Sequence, residues 1–460
     1  MIERDLKKYS NLFSQYTELR VQENRNNQIV LTNGDVMGNS SSVKSGVSAR
    51  VFNDGNWGFS SHPEMSGDSI SKVVKSSVDN VKFMNSKNSS KCGFILPEVI
   101  AEHEMDFSTS KPREDQKYWL DFLKDLDGYI EKNYPELLSR NLVISGLDME
   151  KSLVTSHGSQ SYSMTPRSNI YISLTIEKDG APINLYKVLG GLGHMEDKFT
   201  KSEDYYHEVD LLVERLKQKS VGVFPKAGLK DVILDADLAG ILAHEAIGHT
   251  TEADLVLGGS VAGDFLGQQV ASPLVTLVDY ANTASGITCP VPVFIDDEGT
   301  KSEDVVIIED GILKKFMHNK DSAQHFESEP TGNARAYEFS DEPLIRMRNT
   351  AFIPGDNTLE EMISSIDEGY YLMNTSNGQA DSTSEFTFGV TMGYEVKNGK
   401  LGCAIRDTTI SGIAFEVLKT IDMISNDMVW MSGGMCGKKQ LIPVGMGGPA
   451  IKCKVNIGGR

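Results

Sequence analysis

The tightest constraint on this chain is a spacing. In Asp235-Ala-Asp-Leu-Ala-Gly-Ile-Leu-Ala-His-Glu-Ala-Ile-Gly-His-Thr-Thr-Glu-Ala-Asp254 a helix-capping aspartate precedes an apolar run that carries His244, Glu245 and His249. A strand end, a cap at Asp235 and a helix are predicted. Two histidines bracketing a glutamate form a metal-site pattern, but in its common version, His-Glu-x-x-His, they are four apart and share one helix face. Here they are five apart, about 140° around a regular α-helix at ~100° per residue. An unbroken α-helix therefore cannot aim both imidazoles at one ion. A π-type turn, closing from residue i to i+5, would realign them, and Gly248 is the residue best able to supply or end such a distortion. Coincidence, or a His-Glu pair that only caps or hydrogen-bonds inside a buried helix, is the competing reading. A third ligand decides between them.

At 460 residues the chain is too long for one small core, so two or three domains are expected. Apolar residues at 39% and charged ones at 24% describe a soluble globular protein. A formal charge of −19 argues against a nucleic-acid partner, because phosphate affinity is carried by clustered Lys and Arg and no cluster is visible. Met-Ile-Glu-Arg-Asp-Leu-Lys-Lys-Tyr at the start has no apolar signal core, and no run approaches the ~18 apolar residues of a spanning helix. A cytoplasmic protein without a membrane partner is expected. Five cysteines, Cys92, Cys289, Cys403, Cys436 and Cys453, are odd in number and scattered, which is not a disulfide framework.

Along the chain, a short helix is expected over residues 3–14, then strands over 16–23, 28–32 and 45–52, broken at 24–27, 33–35 and 53–56. Helical spacing follows over 68–83, a loop over 85–113, and a helix over 113–132 with Trp119, Phe122, Leu123, Leu126 and Ile130 on one face. Strands return over 142–147, 151–156, 160–165 and 169–177, with turns at Gly146, His157-Gly158, Pro166 and Asp179-Gly180. Gly190-Gly191-Leu192-Gly193-His194 lacks the residues of a phosphate loop and reads as a plain loop. A helix over 202–217 precedes a boundary at 223–228. Beyond it, strands are expected over 230–234, 275–280, 286–295, 305–308, 312–319, 385–397 and 400–405, and helices over 358–367 and 410–424. The fold class is therefore α+β: N-terminal antiparallel sheets with packed helices (1–224) and a strand-rich C-terminal domain carrying the metal-binding helix (225–460).

For the third ligand, residue chemistry favours Cys436 in Met431-Ser-Gly-Gly-Met-Cys-Gly-Lys-Lys-Gln440. Glycines on both sides let the thiol reach a metal, and two lysines close behind would favour its thiolate. Cys453 alternates like a strand residue, Cys92 and Cys289 border turns, and Cys403 lies inside a strand.

These motifs, with Asp296-Asp-Glu-Gly-Thr300, Asn333-Ala-Arg335, Arg346-Met-Arg-Asn-Thr350 and Pro443-Val-Gly445, resemble the TldD branch of the TldD/PmbA metallopeptidases over essentially the whole chain. The resemblance implies a Zn²⁺ held by His244, His249 and Cys436, with Glu245 as catalytic base. It also implies a dimer, with itself or with a PmbA/TldE-like paralogue, formed with the N-terminal domain and enclosing a cavity that only extended or unfolded peptides enter. One departure is Ala253, where relatives often carry glycine between the acids. Two imidazoles and a thiolate would leave the zinc with net +1 charge and a fourth position for water. Glu252 and Asp254 are candidates to orient the imidazoles, or are simply exposed helix carboxylates. The alternative to a hydrolase is a non-catalytic, metal-stabilised subunit that binds peptides, which would call for a fourth protein ligand.

Overall fold

The computed structural model describes residues 2–87 and 95–458, so Cys92 lies outside the described residues. Strands dominate and helices pack on them in an α+β arrangement. Strands β1 (Tyr16–Thr32), β2 (Asp35–Asn53), β3 (Asn56–His62), β4 (Glu102–Asp106), β5 (Ser139–Thr155), β6 (Gln160–Lys178) and β7 (Ala181–Leu192) form one sheet. Among the described residues it is seven-stranded, in the order β3-β2-β1-β5-β6 with β4 and β7 both paired to β6. The hairpin turns are the expected ones: Asn33-Gly34 and Asp54-Gly55 have paired positive φ of 50° and 84°, and of 48° and 82°. That conformation matches the right-handed twist of the strands it joins.

Alternation along β1 explains what covers this sheet. Leu19, Val21, Ile29 and Leu31 are buried on one face. There they meet helix α1 (Gly67–Lys87) through Ile70, Val73 and Val74, and α2 (Gln116–Asn133) through Phe122, Leu123 and Leu126. Two further helices are α3 (Met195–Lys198) and α4 (Tyr206–Ser220), the latter packing Val209, Val213 and Leu216 beside α2. The opposite face of β1 is also buried yet polar, with Glu18, Arg20, Gln22 and Asn24 each 3% exposed or less. Those side chains meet the second half of the chain. Arg20 Nη2 donates to Asp341 O at 2.6 Å, Asn24 Nδ2 to Tyr337 O at 2.7 Å, and Arg50 bridges Glu18 and Glu298. The Asp296-Asp-Glu-Gly-Thr300 segment is thus a docking element: Asp297 receives Lys151 Nζ at 2.8 Å and Glu298 receives Arg50.

Several expected breaks are absent. Asn24 to Asn27, Gly146 and Pro166 lie inside β1, β5 and β6, because each residue there is paired with a neighbouring strand that outweighs local turn preference. Pro166 sits where β6 exchanges β4 for β7, and its carbonyl accepts from Gly193 N on that side, so its missing donor falls in the gap between the two partners. The segment expected as a loop over 85–113 contains the end of α1 and β4, and Gly190 and Gly191 belong to β7 rather than to a loop. The expected opening helix is one short 3-10 turn, Lys7–Leu12. The strand expected over 286–295 shrinks to Ile287–Thr288, since Pro290 and Pro292 remove ladder donors. That over 312–319 shrinks to Ile312–Leu313, and 410–424 divides into strand Thr408–Ile413, helix Ala414–Lys419 and strand Met423–Ile424.

In the second half β8 (Gly228–Leu234) pairs with strands Glu368–Ala380 and Ile451–Ile457. Ile451–Ile457 leads through Thr408–Ile413 to Glu385–Lys397, which pairs back with Glu368–Ala380, so the sheet closes on itself. Helix α5 (Ala236–Ile241) leaves β8 and runs against a second sheet containing strands Leu277–Tyr280, Asn349–Phe352 and Gly445–Gly448. Gly240 lets it approach: a Cβ there would lie 2.5 Å from Gly447 N. No helix among the described residues is long and apolar enough to cross a membrane.

Candidate metal centre

Asp235 caps α5, its Oδ1 accepting from Leu238 N at 2.9 Å. After Ile241 the helix widens into a π-helical stretch, Leu242–Gly248, followed by the 3-10 turn His249–Thr251. The His249 N–H donates to His244 O, an i to i+5 bond between the two motif histidines. Their rings then stand 5.2 Å apart at 79°. Carbonyls loosened by the change of pitch are taken by hydroxyls: Thr250 Oγ1 donates to Ile247 O at 2.8 Å and Thr251 Oγ1 to Gly248 O at 3.0 Å.

Gly248 is needed for a different reason from the one its position suggests. Its φ and ψ of −56° and −55° are ordinary helical values, open to any residue. What excludes a side chain is space, because a Cβ would lie 1.9 Å from Met347 Sδ. Gly248→Ala should therefore destabilise the protein by about 1–3 kcal/mol through overpacking, although alanine in a free helix would gain about 1 kcal/mol. Met347→Ala in the same chain should restore part of the loss. Urea midpoints of the two variants measure this, and a stabilised Gly248→Ala contradicts it.

Cys436 arrives on a hairpin of Met435–Lys438 and Gln440–Pro443, turning at Lys439 with φ 58°. Its thiol is 2% exposed, and Sγ lies 3.2 Å from His249 Nε2. One ligand atom each from His244, His249 and Cys436 falls within 4.8 Å of the others, a grouping able to hold a metal ion. The remaining contacts fix its orientation. Glu252 Oε2 is 2.9 Å from His249 Nδ1, which turns Nε2 toward the thiol. Lys438 Nζ reaches Glu252 at 3.1 Å and Asp254 at 2.7 Å, so it ties the hairpin to the end of the helix and is not spent on the thiolate. Asp254 meets Lys438 and no imidazole. Arg346 Nη2 donates to Cys436 O at 2.8 Å, and Arg335 Nη2 to Pro443 O at 2.8 Å. Arg335 and Arg346 had no role at the site in the sequence, where their local signal was charge between apolar neighbours, whereas Lys438 was expected to favour the thiolate and instead pairs with the two carboxylates.

Electrostatics suits His244 to a cation. His244 is fully buried, and among the described residues neither ring nitrogen has a hydrogen-bond partner. An imidazole so placed loses solvation without compensation unless a ligand takes one nitrogen. Burial, then the charges of His249 and Arg346, holds it far below its usual pKa, hence neutral as a metal ligand must be. For His249 burial acts downward, but the Glu252 carboxylate and the Cys436 contact outweigh it and raise the pKa well above normal. Burial also raises Glu245, whose Oε2 is 3.7 Å from His249 Nε2 and whose side chain stays 23% exposed. Two histidines and one thiol are a zinc donor set that leaves a position open. Cys453 is buried in strand Ile451–Ile457 away from the group, and Cys403 is exposed.

Known proteins resemble this chain along nearly its whole length. Residues 227–459 match the family model of the PmbA/TldA metallopeptidase C-terminal domain, and residues 17–81 that of PmbA/TldA metallopeptidase domain 1. The chain is 31% identical to a metalloprotease of Methanocaldococcus jannaschii over 95% of each sequence. It is 30% identical to a zinc metalloprotease TldD homolog of Saccharolobus solfataricus over 99% of each. Its fold matches the crystal structure of TldE from Thermococcus kodakarensis with a TM-score of 0.75, at 17% identity and 99% coverage of both chains.

Proposed function

The chain belongs to the PmbA/TldD family of metallopeptidases, and from that premise we propose that it is a zinc-dependent peptidase acting on extended or unfolded peptides. His244, His249 and Cys436 hold the metal and Glu245 is the general base. The observation that carries this reading is the convergence of three donors within 4.8 Å at a π-helical turn. When bound, zinc in a two-imidazole, one-thiolate site supplies a Lewis acid of net +1 charge that can polarise a carbonyl oxygen and acidify water.

The chain's own groups do the rest. Glu245 stands beside the donors without belonging to their cluster, and burial raises its pKa, so it can accept a proton from the attacking water and deliver it to the departing amine. Glu252 keeps His249 turned toward the metal, and Lys438 balances Glu252. His244 and Cys436 are buried while the side chains of Glu245 and His249 keep 23% and 19% exposure, which supports approach by an extended chain. A second copy or a TldE-like paralogue completes the enclosure, a reading supported by the shared fold with TldE of Thermococcus kodakarensis. The division into an N-terminal domain over 1–224 and a metallopeptidase domain over 225–460 belongs to the proposal, supported by the separate sheets of the two parts. So does a cytoplasmic location, supported by four free thiols among the described residues.

The test reads zinc and turnover on the same samples. His244→Ala, His249→Ala and Cys436→Ser should each lose most of the bound zinc together with hydrolysis of an unfolded protein, while Cys453→Ser keeps both. Full zinc in Cys436→Ser, or no hydrolysis by zinc-loaded wild type, overturns the reading.

A further inference from the structure

A cleft of ≈ 880 Å³ opens between the N-terminal sheet and the segment leading into the cysteine hairpin, with Gln28, Tyr186, Trp430 and Met435 among its walls. Met435 is one residue from Cys436, and on a strand the two point to opposite faces, so the cleft lies one strand's thickness from the metal-binding face. Three charged side chains line it: Arg167, Lys187 and Asp237. Lys187 lies 3.7 Å from Glu208, and Asp237 accepts from Asn374 Nδ2 at 3.2 Å. Arg167 is different. It projects from β6, is only 5% exposed, and spends Nη2 on Ser432 O at 3.0 Å, while Nη1 is buried with no hydrogen-bond partner among the described residues. Among the described residues no carboxylate forms an ion pair with it. Arg167 also borders a smaller cavity of ≈ 80 Å³ behind the cleft, so there is room at the guanidinium for a small group.

A buried cation without a counter-charge is costly: Arg50 is answered by Glu18 and Glu298 and Arg348 by Asp279. Arg335 and Arg346, which like Arg167 form no ion pair among the described residues, donate to two and three backbone carbonyls where Arg167 donates to one. Burial alone pulls the Arg167 pKa down to about 10, still charged at neutral pH. A planar fork with a free arm is built for a planar anion with two oxygens. We infer that Arg167 is a substrate-anchoring residue that binds a carboxylate of the peptide, either its C-terminal carboxylate or an acidic side chain, away from the scissile bond. This rests on the peptidase reading above. Binding energy gathered at such a remote point can be used at the reacting centre to hold the peptide bond in place.

The experiment measures binding and cleavage separately. A fluorophore-labelled, unstructured peptide of Gly, Ala, Ser and Leu is made as free acid, as C-terminal amide, and as amide with one internal Glu or Gln. Anisotropy with the zinc-loaded Glu245→Gln protein should show the free acid or the Glu peptide binding roughly 10- to 100-fold more tightly than its neutral counterpart, the size of a lost charged hydrogen bond. Which of the two gains identifies the source of the carboxylate. Arg167→Met in the same background should erase the difference, and Arg167→Lys should keep part of it. Equal binding of acid, amide and Glu peptides overturns the inference, as does an Arg167→Met variant that weakens acid and amide alike, which would mean the arginine only fastens Ser432. The acid and amide comparison needs no Arg167 variant and so survives a folding failure. Wild-type cleavage of acid and amide at equal rates with equal binding removes the anchor and leaves the peptidase. Carboxylate-dependent binding without any cleavage removes the peptidase and leaves the anchor.

Discussion

Replacing Glu245 with glutamine should lower kcat/KM for an unfolded peptide by about 10²- to 10⁴-fold, the usual contribution of a positioned general base. Zinc content should stay at the wild-type value. The two halves of that expectation come from one geometric fact: Glu245 is adjacent to the donors in sequence but outside their cluster, with Oε2 3.7 Å from His249 Nε2. Glutamine keeps the shape and removes only the proton acceptor, so it separates the base from the metal site. Fluorogenic peptide kinetics and elemental analysis on the same preparation decide it. A loss of zinc equal to the loss of rate would make Glu245 a ligand. Unchanged turnover would assign the proton to another group.

The centre was more legible in the sequence than the fold around it, and the reason is physical. Five-residue spacing on a helix admits few solutions for a single ion, and the π stretch Leu242–Gly248 is one of them. Turns written as Asn33-Gly34 or Asp54-Gly55 are equally explicit, because few residues accept their positive φ. Partner strands, in contrast, leave no local mark. Asn24 to Asn27 look like a turn, yet β1 carries a strand on each side along nearly its whole length, and its polar alternation is buried against the second half. Gly248 shows the same limit at the site itself: its place next to His249 was visible, while Met347, the neighbour that demands a glycine, is 99 positions away. Lys438 looked like a thiolate partner because it follows Cys436 by two residues. Strand alternation carries Cys436 and Lys438 to the same face, but the helix end brings Glu252 and Asp254 to the lysine.

The segment behind the hairpin sets the other large effect. Arg348→Met should cost about 3–5 kcal/mol, the range for removing one partner of a buried ion pair. Arg348 and Asp279 are both fully buried, with Nε 2.9 Å from Asp279 Oδ2. Nη2 donates to Glu303 O at 2.8 Å and Asp279 O at 3.1 Å, and Nη1 to Thr331 O at 3.2 Å and Gly332 O at 3.4 Å, so the substitution removes the counter-charge of a carboxylate and a donor from four carbonyls at once. Asp279 keeps the backbone donors Arg348 N and Asn349 N and the amide of Asn333, which limits the damage and accounts for expecting a folded but weakened protein. Asp279→Asn added to Arg348→Met should recover part of the loss by removing the unpaired charge. The damage should also reach the metal. Ile345 O receives Lys438, Arg346 holds Cys436 O, and Met347 packs on Gly248, so three consecutive residues of this segment support the hairpin and the π turn together. Urea midpoints with and without added zinc separate the two effects. If Arg348→Met lowers the midpoint with zinc and without it by the same amount, the segment supports only the fold. A larger loss in the zinc-loaded protein means that the buried pair also holds the ligands in place.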